Sequence, residues 1–134
     1  MSADGLITTR SSFGPEETMK RLEAEVKAKG MIVFAHIDHA AGATAAGMQL
    51  RPTDLLIFGA AKGGTPLMQS VQTIGIDLPL KALIWQDEAG TTHLSYNDPA
   101  YLAHRHELGD STKAVVEGMS GALKAIATKA TTAP

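Results

Sequence analysis

The chain of 134 residues contains no cysteine. Disulfide frameworks, thiolate metal centres and thiol nucleophiles are thereby excluded, and any redox or sulfur-transfer role would need another group. Aromatic residues are scarce at 4%, with one Trp, two Tyr and three Phe, so the core has to be built mainly from aliphatic side chains. No apolar stretch approaches the roughly 20 residues that cross a bilayer. The opening MSADGLITTR has neither the basic segment nor the long apolar run of a secretory leader. The expectation is a cytoplasmic chain without membrane association. Clustered positive charge is also missing. Lys and Arg number 12 against 14 Asp and Glu, giving a net charge of -2. Phosphate binding draws on grouped Lys and Arg, so nucleic acid is not an expected partner.

What is present suits a single domain over residues 1–134 that buries one core, with residues 129–134, rich in Thr and Ala, fraying at the end. The densest pattern runs from Asp54 to Asn97. The apolar run Leu55-Leu56-Ile57-Phe58 stops at Gly59 and enters the small, Gly-rich stretch Ala60 to Thr65. That predicts a strand followed by a helix, with Thr65 as N-cap and Pro66 at the first helical position, where its missing N–H costs nothing. A second apolar run, Leu80 to Trp85, passes through Asp87-Glu88-Ala89-Gly90 into an alternating segment ending at Tyr96, which predicts a β-hairpin.

Elsewhere the periodicities are plain. Leu6 to Ser11 reads as a short edge strand. Gly14-Pro15-Glu16-Glu17 opens a helix whose Met19, Leu22 and Val26 recur on one face, and Gly30 ends it. Met31 to Ile37 is rich in β-branched and aromatic residues and reads as a strand. Asp98-Pro99 starts another helix, and a last one runs from about Thr112 to Thr128, with Val115, Met119, Ala122, Leu123 and Ile126 as its buried stripe.

Two places carry candidate chemistry. His36-Ile37-Asp38-His39 closes the second strand, where alternation puts His36 and Asp38 on one face. A carboxylate so placed orients an imidazole or joins it on a cation. The competing reading is structural, with Asp38 capping the small-residue segment Ala40 to Met48. The second place is the Gly-rich turn, where Lys62, Gly64 and Thr65 would offer backbone N–H groups and a positive charge to an acidic ligand. Neither the Walker spacing nor G-x-G-x-x-G is present there. His104 and His106 lie two apart, about 200° around a helix, and cannot chelate one ion together.

The fragments Asp38-His39-Ala40-Ala41, Leu55 to Gly59, Lys62-x-Gly64-Thr65-Pro66-Leu67-Met68, Ile76-Asp77-Leu78-Pro79-Leu80-Lys81, Trp85-x-Asp87 and Tyr96-Asn97-Asp98-Pro99 appear in this order. Together they resemble the prokaryotic family called domain of unknown function 302. That resemblance implies a two-layer α+β fold, a curved antiparallel sheet with helices packed on one face, similar to the TATA-binding-protein-like topology, and a homodimer. It implies no established reaction. Members carry Asn-Pro after the Phe-Gly pair where this chain has Ala60-Ala61, so a turn-stabilising amide and a rigid ring are missing.

The functional expectation is a small cytoplasmic homodimeric domain that binds a small molecule or cofactor, with His36, Asp38, His39, Lys62, Gly64 and Thr65 as ligand-binding candidates. One alternative is an enzyme using His36 or His39 with Asp38 or Asp77 as an acid–base pair. Another is a metal or haem site at a dimer contact, with His36 and His39 as weak ligands. The geometric expectation is that the histidine-bearing strand end and the Gly-rich turn stand side by side around a recess.

Overall fold

A computed structural model describes residues 3–134. Five strands form one antiparallel sheet: β1 (Leu6–Arg10), β2 (Ile32–Asp38), β3 (Thr53–Gly59), β4 (Leu80–Gln86) and β5 (Thr92–Asn97), in the spatial order β1-β5-β4-β3-β2. Five helices accompany them: α1 (Pro15–Ala28), α2 (His39–Ala45), α3 (Ala61–Ser70), α4 (Pro99–Arg105) and α5 (Lys113–Thr131). β1 and β2 lie at opposite edges, so α1 crosses the sheet to join them. The architecture is the two-layer α+β arrangement.

Alternation along the strands decides which side is covered. Leu56, Phe58, Leu80, Ala82, Ile84, Leu94 and Tyr96 bury against Met19, Leu22 and Val26 of α1 and Leu123, Ile126, Ala127 and Ala130 of α5. Each large aliphatic side chain so placed contributes about 1.5–3 kcal/mol over an exposed one. The alternate residues, among them Leu55, Ile57, Leu83 and Trp85, are half-buried on the other face. A smaller second core joins Leu67 of α3, Ile74 of the 3₁₀ segment Gln72–Asp77, Leu102 of α4 and Val116 of α5. Helix α5 thus belongs to both cores.

Several local expectations hold. Asp98 caps α4, its carboxylate accepting from the Ala100 N–H, and Pro99 is the first helical residue. The hairpin turn is closed by Asp87, whose Oδ1 accepts from the Ala89 and Thr91 N–H groups, while Gly90 supplies the positive φ. Helices α1, α2 and α4 end alike: Met31, Met48 and Leu108 N–H donate to the Val26, Ala43 and Ala103 carbonyls. The left-handed residue this ending needs is Gly30, Gly47 and, in α4, Glu107.

Three expectations are corrected. Helix α3 begins at Ala61, so Thr65 is not its N-cap and Pro66 lies inside it. The glycines that suggest a turn are helical residues facing neighbouring elements: a Cβ on Gly63 would meet the flexible end of Met119, Cε, at 3.3 Å, and one on Gly64 would make an ordinary contact with Leu78 Cδ1 at 3.4 Å. In α5, Val116 rather than Val115 is buried, because the helix faces the second core with that residue. The fraying expected from residue 129 does not extend to Ala130 and Thr131, which are 0% and 1% exposed. Thr131 holds them through its hydroxyl on the Ala127 carbonyl and its own carbonyl on the Ser12 N–H.

Candidate functional site

β2 runs antiparallel to β3, and the register sets the geometry of every candidate residue. Ile32 pairs with Gly59, and Asp38 with Asp54. The histidine end of β2 therefore lies by the start of β3, about 20 Å from the Gly59 end at about 3.4 Å per residue. The expected juxtaposition of His39 with the Gly-rich segment is not formed.

At the histidine end, Asp38 is the N-cap of α2, with Oδ1 accepting from the Ala41 N–H at 2.8 Å. His36 points to the helix-covered side, as does its pair partner Leu56. There its Nδ1 and Nε2 lie 3.7 and 3.5 Å from carboxylate oxygens of Glu23 and Asp54. Those separations are long for hydrogen bonds. Its neighbours are thus Glu23 and Asp54, not Asp38. His39 opens α2 and is exposed. Among the described residues no three His, Asp or Glu side chains are grouped as a metal set.

At the other end the molecule has a recess of about 300 Å³. One wall comes from Met31 and Phe34 of the edge strand and its lead, another from Gly59 to Thr65 and Met68. Gly75, Leu78, Pro79 and Leu80 close the third side, and Met119 and Ala122 of α5 the fourth. The recess lies along the seam between the two cores: Met31 and Leu80 belong to the large one, Met68 and Met119 flank the small one, and Leu78 packs on both. A seam of this kind leaves space because each core closes on itself. Phe34 is the extra residue at a register shift between Val33 and Ala35, and it is 55% exposed at the rim.

Of the candidates read from the sequence, Gly64 and Thr65 line this recess, whereas His36, Asp38, His39 and Lys62 do not. Thr65 is the one lining residue whose side chain carries a polar atom. The recess therefore has the chemistry of a hydrophobic site, with three thioethers that can adapt their shape to a guest. Met31, Phe34, Leu78 and Met119 are not legible as site residues in the sequence because they come from distant segments, each reading locally as ordinary core.

A polar group occupies the uncovered sheet face. His93 stacks on Trp85 with centroids 4.5 Å apart and pairs through Nε2 with Asp87 Oδ2 at 2.8 Å. Trp85 Nε1 donates to Ser95 Oγ, which also bonds Thr8 Oγ1. The hydrogen bond from His93, with those from Thr91 and Ala89, holds the Asp87 carboxyl below its ordinary range.

Comparisons with known proteins give a consistent family and an unexpected set of relatives. A family model described as "Domain of unknown function DUF302" matches residues 7–126. A solved structure, of an uncharacterized conserved DUF302 protein from Bacillus stearothermophilus, superposes with a TM-score of 0.85 at 22% identity, covering 96% of this chain and 99% of that one. That likeness concerns the fold. Curated relatives named "Fluoride-specific ion channel FluC 1", from Brucella suis and Brucella abortus, are 49% identical over 115 residues, 86% of this chain. The chain spans less than half of those relatives, 45% and 43% of their length.

Proposed function

The chain belongs to the DUF302 family, and from that premise we propose that it is a binding domain for a small, uncharged, apolar molecule held in the recess between the two cores. The observation that carries this reading is the lining: a space of about 300 Å³ with no charged side chain on its walls. Burial of apolar surface at about 25 cal/mol per Å² favours a hydrocarbon or aromatic guest there. A phosphorylated or divalent ligand would lose hydration without gaining a counter-charge. The domain acts in the cytoplasm as a homodimer, and edge strand β2 is the region offered to the second copy, with Ile32 and Phe34 60% and 55% exposed.

A thermal-shift series tests the binding reading. Neutral aromatic and short aliphatic probes should raise the melting temperature, with a stabilisation of about 2.7 kcal/mol at a hundredfold excess over Kd. Stabilisation by phosphorylated metabolites, haem or divalent metals alone would overturn it. Equilibrium sedimentation tests the dimer, and a monomer at all concentrations would remove that part.

The names of the curated relatives favour a second, compatible reading: this domain serves a fluoride channel as an adjunct outside the conducting path. No described helix is long and apolar enough to cross a membrane, and the sheet is open, with strands of five to seven residues, against about 9–11 in a spanning strand. Fluoride flux through a full-length relative in vesicles should persist, altered in rate, when the recess of this part is filled by mutation. Complete loss of conduction in a folded variant would place this part in the path and contradict the reading.

A further inference from the structure

The 3₁₀ segment Gln72–Asp77 and the end of α4 are joined by a line of polar side chains separate from the recess. His106 Nε2 lies 2.6 Å from Asp77 Oδ2, and His106 Nδ1 lies 3.1 Å from Thr73 Oγ1. Arg105 Nη1 donates to both oxygens of Asp77 at 2.9 Å. The imidazole and carboxylate are nearly enclosed, 8% and 11% exposed, while Thr73 is at the surface. The end of α4 fixes the imidazole: His106 is the C-cap residue, and its own N–H donates to the Leu102 carbonyl.

Donor directions along this line follow from the groups. A carboxylate only accepts, so Nε2 carries the proton and donates it to Asp77. In the neutral imidazole with that tautomer, Nδ1 keeps its lone pair and accepts from the Thr73 hydroxyl. A hydroxyl bonded to a base, and a base whose tautomer is set by a third group, is the arrangement that activates an oxygen nucleophile.

We propose that Thr73 is a nucleophile toward small activated acyl esters, with His106 as its base. Thr73 Oγ1 bonds to the acyl carbon as its proton passes to His106 Nδ1. The ester C–O bond breaks, and the departing alkoxide takes that proton. Water then attacks the acyl carbon and gives a proton to Nδ1, the bond to Thr73 breaks, and Oγ1 recovers the proton. Asp77 acts through His106 as a positioning residue. Nothing in this step depends on the recess or its ligand.

The test is incubation of the full chain with p-nitrophenyl acetate, following nitrophenolate release and mapping acetylated peptides by mass. One acetyl group is expected on the peptide containing Thr73. Thr73→Ser should retain it, whereas Thr73→Val and His106→Gln should slow release by on the order of 10²–10⁴-fold. Circular dichroism of Thr73→Val should be unchanged, since the side chain is exposed. Acetylation confined to lysines, no acetylation together with no nitrophenolate release above buffer, or release unaffected by Thr73→Val would each reduce the line to a structural tie and overturn the proposal.

Discussion

A β-carbon placed on Gly63 would stand 3.3 Å from the Cε of Met119, so α3 and the flexible end of an α5 side chain meet closely at this point. The contact sets one side of the recess. Met119 presents the far end of a flexible side chain and gives way by a few tenths of an ångström. Gly63→Ala should therefore stabilise the protein by up to about 1 kcal/mol through helix propensity. Gly63→Leu should fill the recess and abolish probe binding with circular dichroism unchanged. Chemical denaturation and probe titration of the two variants check both outcomes.

Ala60 precedes α3 with an extended backbone and offers no side-chain cap. Ala60→Asn supplies an acceptor for the free N–H groups of the first turn and should add about 1 kcal/mol. The measurement is the urea midpoint at unchanged slope.

Glu107 occupies the left-handed position that Gly30 and Gly47 occupy after α1 and α2. A side chain there costs about 1–2 kcal/mol, and glycine returns about 0.5–1 of that in unfolded-state entropy. Glu107→Gly should raise stability by up to about 1 kcal/mol, and Gly30→Ala should lower it by about the same. Paired thermal melts compare the two.

Asp87 has a folded-state pKa below the ordinary 3.8, first because of the hydrogen bond from His93. A depressed carboxylate contributes stability that is complete above the unfolded value and is lost as pH falls through the folded one. The melting temperature should therefore fall below about pH 4. Asp87→Asn should melt lower at neutral pH and show a shallower acid dependence, followed through the fluorescence of Trp85, on which His93 stacks.

Much of this fold is legible in the sequence because its signals are local. Met19, Leu22 and Val26 at helical spacing, the Asp87 to Gly90 turn and the Asp98-Pro99 helix start each need only a few neighbouring residues. The start of α3 is not legible, since Gly63 and Gly64 read locally as a turn, whereas the helix they belong to is set by packing on Met119 and Leu78, residues outside the segment. The recess is hidden for the same reason: strand pairing sets Ile32 opposite Gly59 and so brings Met31, which precedes it, to that end of the sheet, and no local pattern encodes a seam between two cores. His36-Ile37-Asp38-His39 has the side chains of a functional site, but the register turns Asp38 into a cap and gives His36 the carboxylates of Glu23 and Asp54. The pairing of His106 with Asp77 spans 29 residues and had no sequence signal beyond a helical spacing that rules out chelation with His104.

The recess reading is tested most directly by methyl NMR of the chain labelled at the methionine ε-carbons and titrated with indole and naphthalene. The methyls of Met31, Met68 and Met119 line the recess, whereas Met19 is buried in the large core and Met48 is exposed. Saturable shifts of the first three, with Met19 and Met48 unmoved, are the predicted result. Probes that leave all three in place, or that move Met48 alone, would contradict the account.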